Sequence, residues 1–306
     1  MQIFTLTLNP AFDIHYELDT LTLGAEQYAR AVLREAGGKG INTSRALTVN
    51  GIENTAFAVL GADNGAAFEA LLKQDGMTCR TVTVPGAIRE NLTLHPDNQP
   101  ETRISLNHFT VAPSVLDALY NQLTAMGERG DLLSFAGRIP QGLTTENVCA
   151  FLRRLRQYGF RLIVDCNSLT IRELMQIHPW LIKPNASELR ALCSTADPLA
   201  AARTLIRVGA AEQVLVTLGE RGALFCTESQ TQRMIVPPLT HPLSTIGAGD
   251  ATIAGFMAAV ARNLPRAEWP VHAVAWGTAA CMTPGTRPPR PEDIPAVLPQ
   301  IAYEYT

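Results

Sequence analysis

A glycine-rich turn near residue 250 offers the clearest set of groups that could do chemistry. Ser244 to Asp250 read STIGAGD, and the apolar run ATIAGFMAAVA follows directly. Glycines allow a tight turn and a close approach of the backbone to a ligand. If the apolar run is a helix, its free N–H groups and its dipole make an anion site suited to phosphate. The Asp250 carboxylate could then act as a general base, or it could merely cap the helix.

Two other segments combine a polar or glycine-rich turn with the start of a predicted helix. Gly37 to Asn42 read GGKGIN, and Lys183 to Glu188 read KPNASE. Asn185 and Glu188 are three residues apart and share one helix face, where their oxygens could hold hydrated Mg²⁺. The same pair could instead form a capping box. No G-x-x-x-x-G-K-[ST] segment occurs, so the sequence contains no Walker-type phosphate loop.

Alternating strand and helix patterns must position these turns. Strands are predicted at 3–8, 56–61, 131–137, 161–167, 180–185, 213–219, 222–226 and 233–237, and helices at 40–50, 66–76, 145–159, 170–177, 186–194, 198–209, 249–262 and 269–282. This alternation predicts βαβ units, a largely parallel sheet and helices on both faces. Ligands then bind beyond the carboxyl ends of the strands. Residues 86–110 break the pattern with short polar strands that could form a lid.

Composition excludes several other classes of protein. The net charge of −3 argues against a broad nucleic-acid surface, and no apolar run is long enough for a membrane span. No signal peptide is indicated, since the N-terminal segment reads as a strand. Six scattered cysteines without a C-x-x-C pair are expected to be free thiols in a reducing cytoplasm. Any anionic substrate must therefore be bound by a few local cations.

These segments resemble the ribokinase-like carbohydrate kinases, the PfkB family, from one end of the chain to the other. The matching segments are Asn9–Asp13 (NPAFD), GGKGIN, Gly86–Asn91 with Glu101–Arg103, Asp165, KPNASEL, Val216–Gly222 (VTLGERG) and STIGAGD. The resemblance implies an α/β three-layer sandwich with a mostly parallel central sheet, in a single domain over 1–306. It also implies a small β-strand lid, with strands from about 9–33 and 86–110.

The resemblance also implies a role for each matching residue in an ATP- and Mg²⁺-dependent phosphoryl transfer. Asp250 is expected to be the catalytic base, and the N–H groups of Gly247, Ala248 and Gly249 are expected to stabilise the transferred group. The sugar phosphate is assigned to Asp13, Gly38, Lys39, Asn42, Arg89, Arg103 and Arg138, the nucleotide to Lys183, Thr217, Gly219, Gly222, Ala279 and Thr283, and Mg²⁺ to Asn185 and Glu188. The role of Lys39 stays open.

Within the family, TLNPAFD, AGGKGIN and Ser244 resemble the hexose-phosphate branch of 1-phosphofructokinases and tagatose-6-phosphate kinases. The expected reaction is phosphorylation of fructose 1-phosphate. Alternatives are a tagatose-6-phosphate kinase, a 6-phosphofructokinase, a nucleoside or vitamin kinase, and a non-catalytic sugar-phosphate sensor. Arg138 departs from the branch, which has serine there; it could bind phosphate or point away from the site. A homodimer formed through the lid is a further expectation.

Overall fold

The computed structural model describes residues 1–106, 109–239 and 242–305. Within these residues the chain forms fourteen strands and ten α-helices. The strands are β1 (Ile3–Thr7), β2 (Ala11–Leu18), β3 (Ala31–Gly37), β4 (Thr55–Gly61), β5 (Cys79–Val84), β6 (Arg89–Pro96), β7 (Thr102–Ser105), β8 (Leu132–Ala136), β9 (Arg161–Asp165), β10 (Leu181–Ile182), β11 (Val214–Thr217), β12 (Ala223–Cys226), β13 (Thr231–Ile235) and β14 (Ala302–Tyr305). The helices are α1 (Lys39–Val49), α2 (Gly65–Gln74), α3 (Ser114–Met126), α4 (Thr145–Tyr158), α5 (Ile171–Ile177), α6 (Ala186–Leu192), α7 (Pro198–Arg207), α8 (Ala248–Ala261), α9 (Trp269–Ala280) and α10 (Asp293–Val297).

A large ten-stranded sheet forms the centre of the fold. Its strand order is β14-β13-β12-β11-β10-β9-β8-β1-β4-β5. The pairs from β11 through to β5 are parallel, and those from β11 to β14 are antiparallel. The central strands β1 and β8 are buried along their whole length, as expected for parallel strands covered on both faces. The predicted parallel sheet and the β12–β13 hairpin are confirmed.

Two apolar cores lie on opposite faces of the large sheet. One contains side chains from α2 to α7, such as Phe68 and Leu152, and the other contains side chains from α8 to α10, such as Phe256 and Trp276. Phe256 packs edge-on against Trp180, with ring centroids 5.7 Å apart, which fixes α8 against the sheet. The predicted three-layer α/β sandwich is therefore confirmed. No helix among the described residues has the length and apolar character needed to cross a bilayer.

A second, small sheet of four strands lies apart from the large one, in the order β3-β2-β6-β7. Asp13 pairs with Asn91, and Thr93 pairs with Arg103, so these four side chains share one face. The polar strands expected within 86–110 are β6 and β7, while Asn107 and His108 of that range lie outside the described residues. β3 continues to Gly37, beyond the predicted limit at 33, because it pairs with β2 up to Ala11.

A substitution at Gly222, the residue before β12, tests how closely the β12–β13 hairpin of the large sheet is packed. The φ of Gly222 is +82°, and a Cβ there would lie 2.0 Å from the Met234 carbonyl oxygen. We expect Gly222→Ala to lower the unfolding free energy by about 1–2 kcal/mol for the left-handed backbone, plus about 1–3 kcal/mol for the crowding. Urea denaturation followed by circular dichroism measures this.

Gly51→Ala is the matched control, because Gly51 has φ +70° with no atom within 4 Å of the added Cβ. That variant should show the backbone cost alone. Equal losses in the two variants would mean that the β13 backbone gives way without cost.

Candidate active site

Two glycines allow α1 to begin directly on top of β1. Gly38, the N-cap of α1, has φ +124°, and a Cβ there would lie 2.8 Å from Thr7 Cγ2. A Cβ on Gly40 would lie 2.4 Å from Thr7 Oγ1. Only glycine fits this close approach. The contact brings Lys39 and Asn42, on the first turn of α1, to the carboxyl ends of the strands.

The glycine turn before α8 brings Asp250 to the same place. Gly247, with φ +81°, is the N-cap of α8, and Asp250 lies in the first turn with a buried side chain. Asn42 Nδ2 donates a hydrogen bond of 2.9 Å to Asp250 Oδ2. Thr43 Oγ1 donates to the Asp250 backbone oxygen at 3.3 Å. The carboxylate is therefore held from α1 and faces the region between the two helix N-termini.

Burial and neighbouring charges set the proton affinity of Asp250. Burial, together with the nearby Asp165 carboxylate, raises the pKa of Asp250 from 3.8 to about 7. The hydrogen bond from Asn42 and the ammonium groups of Lys39 and Lys183 act in the opposite direction and lower it. A carboxylate with a pKa near neutrality is suited to accept a proton in the transition state.

Asp165, the last residue of β9, joins two lysines. Its Oδ2 lies 3.1 Å from Lys39 Nζ and 3.6 Å from Lys183 Nζ. Burial lowers the pKa of Lys39, but the charges of Asp165 and Asp250 and the hydrogen bond to Asp165 outweigh it, so that pKa is raised. Both lysine side chains therefore reach the same carboxylate, at the carboxyl end of β9.

The small sheet adds a cluster of arginines around Asp13. Asp13 Oδ1 accepts hydrogen bonds from Asn91 Nδ2 at 2.7 Å and from Arg103 Nη2 at 3.2 Å. Arg89 Nη1 donates to Asn91 Oδ1 at 3.0 Å, while Arg89 Nε is buried without a partner. Burial lowers the pKa of Arg89; Asp13 raises it, and the nearby Arg103 and Arg138 lower it further. Arg103 and Arg138, the other two predicted phosphate-binding arginines, are thus within electrostatic range of Arg89.

The residues assigned to the nucleotide lie at the ends of β10 and β11 and behind them. Thr217 N–H donates to the Pro184 oxygen at 3.1 Å, and Leu218 N–H to the Gly222 oxygen at 2.8 Å, which closes the turn around Gly219. Ala279 lies on α9 and is wholly buried in the core beside α8, and its assignment as an adenine contact stays a prediction. Thr283 uses its hydroxyl to bond the Ala280 and Arg287 oxygens.

Asn185 and Glu188 cap a helix, which is one of the two roles that the sequence left open; the magnesium role stays a prediction. Asn185 Oδ1 accepts from the N–H groups of Ser187 and Glu188 at 2.9 Å, and Glu188 Oε2 accepts from Asn185 N–H at 2.9 Å. The pair therefore forms a capping box at the start of α6. Glu188 also borders, with Asp165 and Lys183, a cavity of about 520 Å³ between α5 and α6. Within the described residues, no three or more acidic, histidine or cysteine side chains form a metal-binding cluster.

One amide predicted to face the transferred group is already engaged. Ala248 N–H donates to the Thr245 oxygen over a long distance of 3.4 Å. The anion-binding assignment of Gly247, Ala248 and Gly249 stays a prediction.

Residues 6–293 match the pfkB family of carbohydrate kinases. The chain belongs to this family. The matching range runs from β1 to the start of α10, so it includes the small sheet, the large sheet apart from β14, and all three predicted helix-starting turns. The family resemblance inferred from the sequence is confirmed.

Individual pfkB relatives cover most of the chain. The 1-phosphofructokinase of Xanthomonas campestris pv. campestris is 34% identical over 272 residues, covering 85% of this chain and 84% of that protein. The ATP-dependent 6-phosphofructokinase isozyme 2 of Escherichia coli strain K12 is 30% identical over 300 residues, 94% of each chain. The structure of E. coli phosphofructokinase-2 in complex with substrates and products has a TM-score of 0.90 at 28% identity, and covers 98% of this chain and 99% of that one.

The sequence analysis missed two side chains in this pfkB site. Asn91 bridges Asp13 and Arg89. Arg45 donates to Asn42 Oδ1 at 3.2 Å and to Asp75 Oδ2 at 2.8 Å, so it fixes the amide that holds Asp250. Arg45 follows Asn42 by three residues on α1, so a helical spacing count could have found it. Asn91 gives no comparable signal in a polar strand.

The Asn42 hydrogen bond gives a test of the Asp250 environment. Asn42→Ala removes a donor that stabilises the carboxylate, so the pKa of Asp250 should rise above about 7. Since the base must be ionised, the acidic limb of the profile of kcat/KM against pH should move to higher pH.

Comparing the variant with wild type on the same substrates cancels the titration of the substrates themselves. Asn121→Ala, on the exposed face of α3, is the control and should leave the limb in place. A limb that stays put or moves down in Asn42→Ala would show that this bond does not act on the base.

Proposed function

We propose that the protein transfers the γ-phosphoryl group of ATP to fructose 1-phosphate, giving fructose 1,6-bisphosphate. The observation that supports this most strongly is the placement of Arg89 and Arg103 beside Asp13, with Arg138 within electrostatic range of Arg89. A protein with net charge −3 must place specific cations where it binds an anionic sugar. A neutral sugar, nucleoside or vitamin would need no such cluster.

The chemistry of the arginine cluster fits a phosphate already present on the acceptor. Three guanidinium groups near each other repel, and the lowered pKa of Arg89 reflects that repulsion as well as burial. A bound phosphate dianion would relieve the repulsion, and the planar guanidinium fork matches its oxygens. Asp13 is then left to orient sugar hydroxyls, with Asn91 and Arg103 holding its carboxylate in place.

In the proposed reaction the acceptor hydroxyl lies between Asp250 and the γ-phosphate. Asp250 accepts the hydroxyl proton as the oxygen attacks phosphorus, and the bond between the γ-phosphorus and the bridging oxygen breaks to release ADP. The proton stays on Asp250 until product release. Charge on the transferred group is stabilised by the N-terminal amides of α8 and by Lys183. Lys183 Nζ lies 3.2 Å from the position that a Cβ atom on Gly249 would occupy.

The oxygen donors near this edge suit a magnesium ion held mainly by ATP. Mg²⁺ usually takes one or two carboxylates plus substrate phosphates and keeps several waters. Glu188 offers one carboxylate at the cavity edge and Asn185 one amide oxygen beside it, at the N-cap of α6, in addition to their capping bonds. Bound there, Mg²⁺ would neutralise phosphate charge.

In this proposal the small sheet has two roles. It is the lid over the acceptor, and it is the surface through which two copies of the chain form a dimer. Its lining of Asp13, Arg89 and Arg103 covers the acceptor and would exclude water. Val32, Leu33, Ile104 and Leu106 are exposed apolar side chains on or beside its outer strands. Pairing two copies through these side chains would bury them.

A 6-phosphofructokinase activity is the second candidate. It is supported by the 30% identity to the E. coli isozyme 2 and by the TM-score of 0.90 to phosphofructokinase-2. Arginines recognise a phosphate but do not identify the carbon that it is attached to. A panel of fructose 1-phosphate, fructose 6-phosphate, tagatose 6-phosphate, fructose and ribose, each with ATP and Mg²⁺, separates the candidates.

Arginine variants test the phosphate assignment directly. Hydrogen bonds to charged groups contribute roughly 1.5–3 kcal/mol, so Arg89→Gln, Arg103→Gln and Arg138→Gln should each lower kcat/KM about 10- to 150-fold on the phosphorylated sugar. The loss should be slight on the unphosphorylated sugar. Lysine should rescue poorly, because it lacks the planar fork.

The control for these variants is Arg80→Gln on β5, which lies on the far edge of the large sheet. Equal losses on both kinds of acceptor would assign the arginines to the architecture of the small sheet. A wild-type protein that prefers free fructose or ribose would overturn the sugar-phosphate assignment.

A further inference from the structure

Two of the three lysines in the chain meet on a single carboxylate oxygen. Lys39 reaches it from the start of α1, and Lys183 from the end of β10, at 3.1 and 3.6 Å from Asp165 Oδ2. Asp165 and Lys183 are almost wholly buried. A carboxylate needs only one cation for neutrality, so the second lysine calls for another explanation.

The Asp250 carboxylate supplies the second negative charge, and protonation of that carboxylate during the reaction removes it. With Asp250 ionised, two carboxylates balance two ammonium groups. When Asp250 takes up the acceptor proton, one positive charge of the group is left uncompensated. At that moment the phosphoryl group in transfer spreads its negative charge over its equatorial oxygens. An ammonium group whose charge becomes uncompensated at this step stabilises the transition state more than the ground state.

The positions of the two ammonium groups define where such a phosphoryl group would lie. Lys183 lies beside the Gly249 backbone, next to the helix N-terminus that is suited to phosphate. Lys39 lies close enough to Asp250 for their charges to interact. The Lys39 side chain is 37% exposed, against 3% for Asp165, so Lys39 occupies the open side of the group. A ligand can reach Lys39 without breaking the buried Asp165–Lys183 contact.

We infer that Lys39 is a catalytic residue that contacts the phosphoryl group in transfer, opposite Lys183, and that Asp165 is the positioning residue that holds both ammonium groups. This inference rests on the proposed kinase function. It assigns Lys39 to the transferred group, whereas the sequence analysis placed it with the sugar phosphate.

Kinetics of Lys39→Met and Asp165→Asn separate this role from a structural one. In Lys39→Met, kcat should fall about 10²- to 10³-fold, as when one donor to a developing charge is lost, while KM for the acceptor changes less than about threefold. Asp165→Asn keeps the shape but frees the lysines, and kcat should fall about 10- to 100-fold. Lys73→Met, on the exposed end of α2, is the matched control and should behave as wild type.

The pH profiles of the two variants should move in opposite directions. Asp250 is faced by Lys39 from α1, Asp165 from β9, Lys183 from the end of β10, the Asn42 amide and the N-terminus of its own helix. Lys39→Met removes a cation, so the pKa of Asp250 should rise and the acidic limb of kcat/KM should move to higher pH. Asp165→Asn removes an anion, so that pKa should fall and the limb should move to lower pH. Absence of these opposite shifts would show that Lys39 and Asp165 do not act on Asp250, and it would overturn the charge balance on which the inference rests.

Calorimetric binding of ADP with aluminium fluoride and Mg²⁺, which mimics the planar phosphoryl group, tests the inference without turnover. Lys39→Met should weaken this binding at least about 10-fold while the affinity for ADP alone stays within about threefold. An unchanged affinity for the mimic, or an unchanged kcat with a raised acceptor KM, would overturn the inference. A wild-type protein inactive on every sugar phosphate would overturn the proposed function instead, and the binding experiment would still decide the role of Lys39.

Discussion

The buried carboxylate of Asp250 is the constraint around which the rest of the site is arranged. Burial next to a second carboxylate, Asp165, disfavours its ionised form, and a base with no compensation would stay protonated. Lys39, Lys183, the Asn42 amide and the N-terminus of α8 offset part of that cost. These groups come from α1, the end of β10 and the start of α8, so the α/β architecture is needed to bring them together: parallel strands end at one edge, and two helices begin there.

The two ends of the proposed site bind negatively charged phosphate groups with different cationic side chains. Arginines line the proposed acceptor side, where a fixed phosphate suits a rigid planar fork, and lysines line the transfer side, where a compact charge can follow a moving group. Arg89 and Arg103 lie on the small sheet, whereas Arg138 follows β8 of the large sheet, Lys183 follows β10, and Lys39 begins α1. Closure of one sheet on the other would therefore bring the acceptor to the base, and the proposed chemistry depends on both sheets although only the large one holds Asp250.

Local sequence patterns predicted most of the fold but little of the geometry of the site. The STIGAGD and GGKGIN turns predicted the starts of two helices, because a glycine-rich turn is recognised from adjacent residues alone. The contact between Asn42 and Asp250 spans 208 residues, and that between Lys39 and Asp165 spans 126, so no spacing rule could reveal them. Helix α3 was missed because no side chain caps its start. The edge strands β5 and β14 were missed because β5 is only partly buried and β14 is exposed.

The most direct test of the central claim measures turnover and stability together in Asp250→Asn. The raised pKa means that the folded protein binds this proton more tightly than the unfolded chain does, so ionisation of Asp250 costs stability as pH rises from about 4 to about 7. The account predicts that the variant loses roughly 10²- to 10⁴-fold in turnover, yet unfolds at higher urea concentration than wild type at about pH 8, with the difference vanishing at about pH 4. Turnover near the wild-type value, or a stability difference that does not change with pH, would contradict it.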